Sequence, residues 1–351
     1  MMKTKIGTRK QWLFAAVALL IAVGVIFGIG LVREFTLNEN RNEALAELEA
    51  RRGEYDERSI ILEGTSLVEA RKLAERFGAS LRITEDGKFA ALRLPEGTTI
   101  LDIYGDEANN AYIKDMQADY SVKISDLTDS GAGEENKSRE PLRPSYTVTD
   151  TLYQNQSYLN YINIGPVWNT AKGSGVTVAI IDTGIDTDHP EFAGKISEYS
   201  YNATEDKIVK DYLSSDGWSL IEDEQGHGTA VAGVIAAQMN GAGTVGIAPE
   251  VNLIVIKAEC DENGNFERTS DLVFALYYAI ERDAAVVNMS FGVASAVNPF
   301  ESATQLALDS DVICVAAAGN EATTALTYPA ADAHVFGVGA LEADGWVKKR
   351  N

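Results

Sequence analysis

Three polar side chains stand where a folded chain could bring them together for chemistry. Asp182 ends the apolar run 176–181, His227 opens a predicted helix, and Asn320 follows the apolar run 315–319. A carboxylate beside an imidazole fixes the tautomer of the ring, so that the ring can take a proton from a hydroxyl group. An amide can donate a hydrogen bond to negative charge that develops on a carbonyl oxygen. Each residue alone is also typical of a turn or a cap, so the prediction depends on the combination.

The elements that must position these side chains are strands and helices in alternation. The run 176–181 is rich in β-branched residues and almost uninterrupted, which is typical of a strand buried on both faces of a parallel sheet. The predicted elements are strand 176–181, helix 227–238, strand 251–258, helix 269–282, strand 284–290, helix 300–309, strand 312–318 and strand 334–341. This alternation predicts an α/β fold with a doubly wound, mostly parallel sheet, in which ligands bind beyond the carboxyl ends of the strands.

Five short motifs occur along this half of the chain. They are Asp-Thr-Gly-Ile at 182–185, His-Gly-Thr-Ala-Val-Ala-Gly at 227–233, Val-Gly-Ile-Ala-Pro at 245–249, Asn-Met-Ser-Phe-Gly at 288–292 and Ala-Ala-Gly-Asn at 317–320. In residue type and order they resemble the subtilisin-like serine peptidases, and the resemblance covers about residues 150 to 341. It implies a subtilisin-like α/β peptidase domain over 150–351 and a serine-type endopeptidase activity with an Asp-His-Ser mechanism.

The resemblance also implies roles for individual residues. His227 would be the general base, Asp182 the carboxylate that orients it, and Asn320 a side-chain donor of the oxyanion hole. An extended peptide substrate would lie along two further segments and pair with them through backbone hydrogen bonds. The residues expected to bind it are Ser290, Phe291, Gly292, Ala317, Ala318 and Gly319.

The nucleophile of the family is missing from its expected place. In the family it lies in a Gly-Thr-Ser motif downstream of the asparagine, whereas no serine follows Ser310 here. We therefore expect a peptidase domain that is C-terminally incomplete and inactive as given. One alternative is a non-catalytic peptide-binding module, or pseudopeptidase, which has no need to retain all three polar residues. Another is a nucleotide-binding α/β protein, but Asp182 and Asp186 place two carboxylates after the first strand, which disfavours a phosphate.

The N-terminal segment has the pattern of a membrane anchor. Residues 1–11 are basic, and residues 12–32 include 21 positions without a charge, which is long enough for a transmembrane helix. The basic flank should stay inside, so we expect a single-pass cell-membrane protein with an extracytoplasmic peptidase domain. Cleavage of the segment as a signal, followed by secretion, is the alternative. Residues 33–57 predict a helical spacer.

Residues 58–125 predict a second, smaller domain. Their patterns follow the order β-α-β-β-α-β of a ferredoxin-like α+β domain. By its place ahead of the peptidase domain, the segment resembles the propeptide of the family, which occupies the cleft until it is cut away. The alternative is an unrelated spacer. Residues 126–149, with several Gly, Pro and charged residues, predict a linker.

Composition and charge limit the partners. A formal net charge of −22 disfavours nucleic acid and anionic membrane surfaces. The expected partners are protein or peptide substrates, the propeptide-like domain in the cleft, and the membrane through residues 12–32. No cofactor or metal site is predicted. Members of the family often carry calcium near the loop after the histidine helix, but here the loop 239–245 has Asn240 and no carboxylate, which does not support calcium.

Overall fold

A computed structural model describes residues 41–63, 67–84, 87–106, 116–124, 148–262, 264–292, 298–320 and 327–340. The chain divides into two compact units. The first comprises Met1–Ile83 and Ala90–Ala118, and the second comprises Thr84–Phe89 and Asp119–Asn351. The finer boundaries expected for the spacer, the propeptide-like domain and the linker remain predictions.

The first unit is built on a four-stranded sheet. Its elements are α1 (41–50), β1 (Tyr55–Glu63), α2 (Leu67–Phe77), β2 (Ser80–Ile83), β3 (Phe89–Arg93), α3 (Ile100–Gly105) and β4 (Met116–Tyr120). The first residue of β3 and the last two residues of β4 belong to the second unit. The strands lie in the order β2-β3-β1-β4. From β1 onward the chain order is β-α-β-β-α-β. The alternation that predicts the last strand, at Tyr120, Val122 and Ile124, falls mainly on Val122–Ile124, a strand of a different sheet, and the strand that completes this sheet is β4. The apolar run Ile60, Ile61 and Leu62 of β1 is at most 1% exposed, because β1 is an inner strand of this sheet.

The second unit is an α/β domain around a seven-stranded sheet. Its elements are β5 (Val122–Ile124), α4 (Ser157–Tyr161), β6 (Thr177–Asp182), β7 (Tyr201–Asn202), β8 (Lys207–Ile208), α5 (His227–Ala236), β9 (Asn252–Lys257), β10 (Asn265–Phe266), α6 (Thr269–Glu281), β11 (Val286–Met289), β12 (Phe291–Gly292), α7 (Asn298–Asp309), β13 (Ile313–Ala317) and β14 (Val335–Val338). The large sheet has the order β14-β13-β11-β6-β9-β7-β8. All neighbours are parallel except β7 and β8. The eight elements predicted after residue 150 are confirmed, with ends that differ by up to three residues.

Strand β6 is the central strand of this sheet, with three strands on each side. Its residues 178–182 are all buried, as expected for a strand covered on both faces. On one face Val178 and Ile180 pack in a cluster with Ala232 and Ala236 of α5. Helix α6 also contacts β6 and β9. These layers hold the carboxyl end of β6 in a fixed place.

A second, three-stranded sheet in the same unit has the order β10-β5-β12. Strand β5 is its middle strand and runs antiparallel to both neighbours. Val122 is paired with Phe266 of β10, and Lys123 is paired with Gly292 of β12. The alternation of Tyr120, Val122 and Ile124 predicts a strand here but does not indicate these partners.

The predicted transmembrane helix is contradicted, and the fold assignment is corrected accordingly. Within the described ranges, no helix combines the length and the apolar character needed to cross a bilayer. The longest helix whose two ends are both described, α6, has 13 residues, about 20 Å at 1.5 Å per residue, against a hydrocarbon core of about 30 Å. Residues 12–32, on which the prediction falls, lie outside the described residues. The prediction of a single-pass membrane protein is withdrawn together with the helix.

Candidate active site

Asp182 and His227 lie in direct contact at the carboxyl end of β6. Asp182 is the last residue of β6, and His227 is the first residue of α5. Nδ1 of His227 is 2.6 Å from Oδ1 of Asp182. The same oxygen accepts the N–H of Thr183 at 2.8 Å. The structure thus brings together two of the three polar residues that the sequence singles out, from positions 45 residues apart.

Two glycines allow the backbones of the two segments to approach. Gly184 has φ +121°, and a Cβ there would lie 2.5 Å from the carbonyl oxygen of Ile221. A Cβ on Gly228 would lie 2.2 Å from the carbonyl oxygen of Gly184. A side chain on Gly228 would force the start of α5 away from the loop after β6, and one on Gly184 would force away the segment Ile221–Glu222 that precedes α5. The Gly residues of the Asp-Thr-Gly and His-Gly-Thr motifs therefore set the distance between the carboxylate and the imidazole.

The electrostatic environment of Asp182 is that of a buried carboxylate. The side chain is 1% exposed, and burial raises the pKa of its carboxyl group above the ordinary value. The hydrogen bond and charge of His227 and the N–H of Thr183 act in the opposite direction. Among the described residues, Oδ2 of Asp182 is buried without a hydrogen-bond partner. The imidazole of His227 is therefore the main compensation for the buried charge.

Sequence reasoning missed Asp223, which lies beside this pair. Its carboxylate accepts hydrogen bonds from the side chain of Thr183 and from residues on both sides of His227. Asp223 stands in the acidic run Glu222-Asp223-Glu224, which is typical of a solvated loop. Its position four residues ahead of His227, where it can accept N–H groups at the start of a helix, is the signal that could have identified it.

Asn320 lies beyond the end of β13, which is separated from β6 only by β11. The carboxyl ends of parallel strands share one edge of the sheet, so Asn320 is on the same edge as Asp182. The role of Asn320 as an oxyanion donor remains a prediction.

The six residues predicted to bind substrate lie in two groups. Phe291 and Gly292 form β12, which is paired with β5, and Ser290 precedes them and accepts a hydrogen bond from Nδ2 of Asn288 at 2.8 Å. Ala317 ends β13, the N–H of Ala318 donates to the carbonyl oxygen of Val338 at 2.9 Å, and Gly319 follows with φ +92°. The first group pairs with an extended segment in the described residues. Their role toward substrate remains a prediction.

Two carboxylates bind the loop after α5, where members of the family often carry calcium. Oε1 of Glu191 accepts the N–H of Thr244, and Oε2 accepts the side-chain amide of Asn240, both at 3.2 Å. Oδ1 of Asp150 accepts the N–H groups of Asn240 and Gly241 at 3.0 and 3.1 Å. These oxygens thus face N–H donors, and the described residues contain no group of three or more His, Cys, Asp or Glu suited to a metal. Oδ2 of Asp150, however, is buried without a hydrogen-bond partner among the described residues. The expectation that this loop holds no calcium therefore stays a prediction, and no step below uses a metal.

Comparison with known proteins identifies the family. The sequence model of the subtilase family, Peptidase_S8, matches residues 173–348, which are half of the chain. The chain belongs to the subtilase family. The subtilase match includes Asp182, His227 and Asn320, and it lies within the second unit.

Similar proteins are serine proteases. An intracellular serine protease of Paenibacillus polymyxa is 37% identical over 189 residues, which are 51% of this chain and 53% of that protein. Thermitase of Thermoactinomyces vulgaris is 30% identical over 199 residues, which are 56% of this chain and 66% of that protein. The subtilase chain thus spans about half to two thirds of these relatives.

A solved structure confirms the fold. Fervidolysin from Fervidobacterium pennivorans, a keratinolytic enzyme related to subtilisin, aligns with a TM-score of 0.65 at 23% identity. The alignment covers 83% of this chain and 44% of that one. The subtilisin-like α/β fold predicted from the motifs is therefore confirmed, without the transmembrane helix.

Proposed function

We propose that this subtilase is the zymogen of a serine endopeptidase, in which Asp182 and His227 activate a serine hydroxyl and in which β5 fills the substrate cleft. The observation that carries the proposal is the 2.6 Å contact between Nδ1 of His227 and Oδ1 of Asp182. It is formed at the carboxyl edge of the central strand, where α/β proteins place their ligands.

The geometry supports a definite division of roles. Because Nδ1 of His227 is engaged by Asp182, Nε2 is the atom that can take a proton from an attacking hydroxyl. The buried carboxylate then stabilises the imidazolium that forms. Asn320 would donate its amide to the oxyanion of the tetrahedral intermediate, which lowers the barrier by about 3–4 kcal/mol in sites of this type.

The three-stranded sheet supports the zymogen part of the proposal. An extended segment that pairs with two edge strands at once is the recognised way for a cleft to bind a peptide backbone. Val122 of β5 is 1% exposed and lies opposite Phe266. The rings of Phe266 and Phe291 meet edge to face at 5.6 Å, and Phe300 lies behind Phe291 at 6.2 Å. Because Val122 and Phe266 are opposite each other in an antiparallel pair, their side chains share one face of the sheet. We infer that Val122 packs against these rings as a substrate side chain would fill an aromatic pocket.

Residues just before β5 attach to the start of α6. Asp119 is fully buried, and Oδ1 accepts the N–H of Ser270 at 2.8 Å while Oδ2 accepts the hydroxyl of the same residue. The hydroxyl of Thr269 donates to the carbonyl oxygen of Tyr120 at 2.7 Å. A carboxylate at a helix N-terminus is stabilised by the free N–H groups there. These bonds, all within the second unit, favour a segment that stays in place until it is cut.

The nucleophile is the part of the proposal that this sequence does not contain. Residues 321–351 have no serine, and no Gly-Thr-Ser motif occurs after Asn320. We therefore expect the 351-residue chain by itself to have no peptidase activity. A pseudopeptidase that binds peptides between β10 and β12 is the competing possibility, because that pairing requires no nucleophile.

The test is expression of the complete reading frame that contains this sequence, beside the 351-residue chain. We expect the complete protein to hydrolyse casein, to be blocked by a serine-directed phosphonate, and to lose activity in His227→Ala. Asn320→Ala should lower kcat by about 100- to 1,000-fold. Hydrolysis that survives His227→Ala or the phosphonate would refute the mechanism. A complete protein that binds peptides between β10 and β12 without hydrolysing them would favour the pseudopeptidase.

A further inference from the structure

Asp223 is bound more extensively than a loop carboxylate requires. Oδ1 accepts the hydroxyl of Thr183 at 2.8 Å and the N–H groups of Gln225 and Gly226 at 3.1 and 2.8 Å. Oδ2 accepts both the N–H and the hydroxyl of Thr229, at 2.8 and 2.6 Å. An ordinary cap of α5 would explain the bonds to N–H groups. It would not explain the bond to Thr183, which belongs to the end of β6.

Thr183 extends the connection to the other side of the site. Its hydroxyl donates to Asp223 and accepts the N–H of Gly228 at 2.9 Å. Thr183 directly follows Asp182, while Gly226 and Gly228 flank His227. A single carboxylate therefore binds the neighbours of both members of the catalytic pair.

The hydroxyl of Thr229 adds a second bridge. It donates to Asp223 and accepts the N–H of Asp186, which follows the end of β6 by four residues, at 2.9 Å. The start of α5 and the loop after β6 are thus joined twice through Asp223. Both bridges act across the close approach of Gly184 and Gly228, where the backbones leave no room for a methyl group.

The charge of Asp223 suits this role. Burial opposes its ionisation, but the hydrogen bonds from Thr229, Gly226 and Thr183 outweigh burial, so the pKa of Asp223 lies below its ordinary value. The carboxylate therefore stays ionised and keeps all its accepting sites for these donors.

We propose that Asp223 is a positioning residue for the His227–Asp182 pair: through Thr183 and Thr229 it fixes the start of α5 against the end of β6, and so fixes the hydrogen bond between imidazole and carboxylate. It does not touch the reacting atoms. The proposal rests on the proposed role of the pair, but its test needs no hydrolysis.

The test is NMR of the 351-residue chain with ¹⁵N-labelled histidine, which reports the Nδ1 proton of His227 in its bond to Asp182. Thr183→Val removes the hydroxyl at nearly constant volume, and Thr183→Ser restores it. Thr187→Val is the matched control, because the hydroxyl of Thr187 donates to Glu222 at 2.7 Å in the adjacent loop without contacting the pair. Asp223→Ala removes the carboxylate itself.

We expect the low-field Nδ1 proton resonance of the parent to persist in Thr183→Ser and Thr187→Val, and to be lost or moved upfield in Thr183→Val and Asp223→Ala. If Asp223→Ala does not fold, Thr183→Val decides alone. An unchanged resonance in Thr183→Val would overturn the proposal, as would an equal change in Thr187→Val. If the complete protein does not hydrolyse casein, the proposed function is refuted, whereas the NMR result on the positioning of the His227–Asp182 pair still stands.

Discussion

Val122→Ala tests whether the aromatic pocket holds β5 in the cleft. Val122 is 1% exposed, opposite Phe266. The substitution removes two buried methyl groups, worth about 0.8 kcal/mol each, so the strand should lose about 1.6 kcal/mol of binding to the pocket. At 1.4 kcal/mol per factor of ten, the opening equilibrium of β5 should rise about 15-fold.

Amide hydrogen exchange of the peptide that contains Val122–Ile124 measures this opening. When closing is fast relative to exchange, the exchange rate follows the population of the open strand, so it should rise by about the same 15-fold. Val234→Ala is the matched control, because Val234 is 46% exposed on α5 and its truncation should change stability by no more than about 0.5 kcal/mol. Exchange in β5 that is unchanged in Val122→Ala would refute the pocket as the feature that holds the strand. So would an equal rise in both variants, or a rise spread evenly over the chain.

Two further predictions concern the His227–Asp182 pair. Gly228→Ala should destabilise the chain by about 1–3 kcal/mol through overpacking, because its Cβ would meet the carbonyl oxygen of Gly184 at 2.2 Å. Gly233→Ala, whose Cβ meets nothing within 4 Å, should instead stabilise helix α5 by about 0.5–1 kcal/mol. Urea unfolding of both variants measures the two free energies, and equal effects would contradict the close approach of Gly184 and Gly228. Burial raises the pKa of the Asp182 carboxyl group, so the folded state favours its protonated form. The stability that the protonated carboxyl contributes is complete below the pKa of the unfolded state and is lost as the pH rises through the pKa of the folded state. Asp182→Asn should therefore have a higher free energy of unfolding than the parent at neutral pH, and urea unfolding should show this difference shrinking toward acid pH. A difference that is constant with pH would show that burial does not destabilise the carboxylate.

Much of the second unit could be predicted because its sequence signals are local. The apolar run of β6 and the glycines around Asp182 and His227 are short patterns with one physical meaning, and the parallel alternation of strands and helices fixes their common edge. The partners of β5 could not be predicted, because alternating residues indicate a half-buried strand and carry no information on which edges it joins.

Other features could not be found for different reasons. Asp223 looks like one of three acidic loop residues, and its importance depends on Thr183, 40 residues away in sequence. The contacts of Glu191 with the loop at Asn240 likewise join distant segments. The prediction of a transmembrane helix depended on the length and hydropathy of residues 12–32 alone, and these residues lie outside the described ranges.

Strand β5 belongs covalently to the polypeptide whose β10 and β12 it joins. A tethered segment of this kind acts at an effective concentration on the order of millimolar, whatever its intrinsic affinity. A soluble peptide added to the intact chain therefore competes with β5, whose local concentration does not fall when the protein is diluted. In the proposed zymogen, affinities measured before the segment is cut would therefore describe the replacement of β5 by the added peptide. They would underestimate how tightly the site between β10 and β12 holds the same peptide once β5 has left.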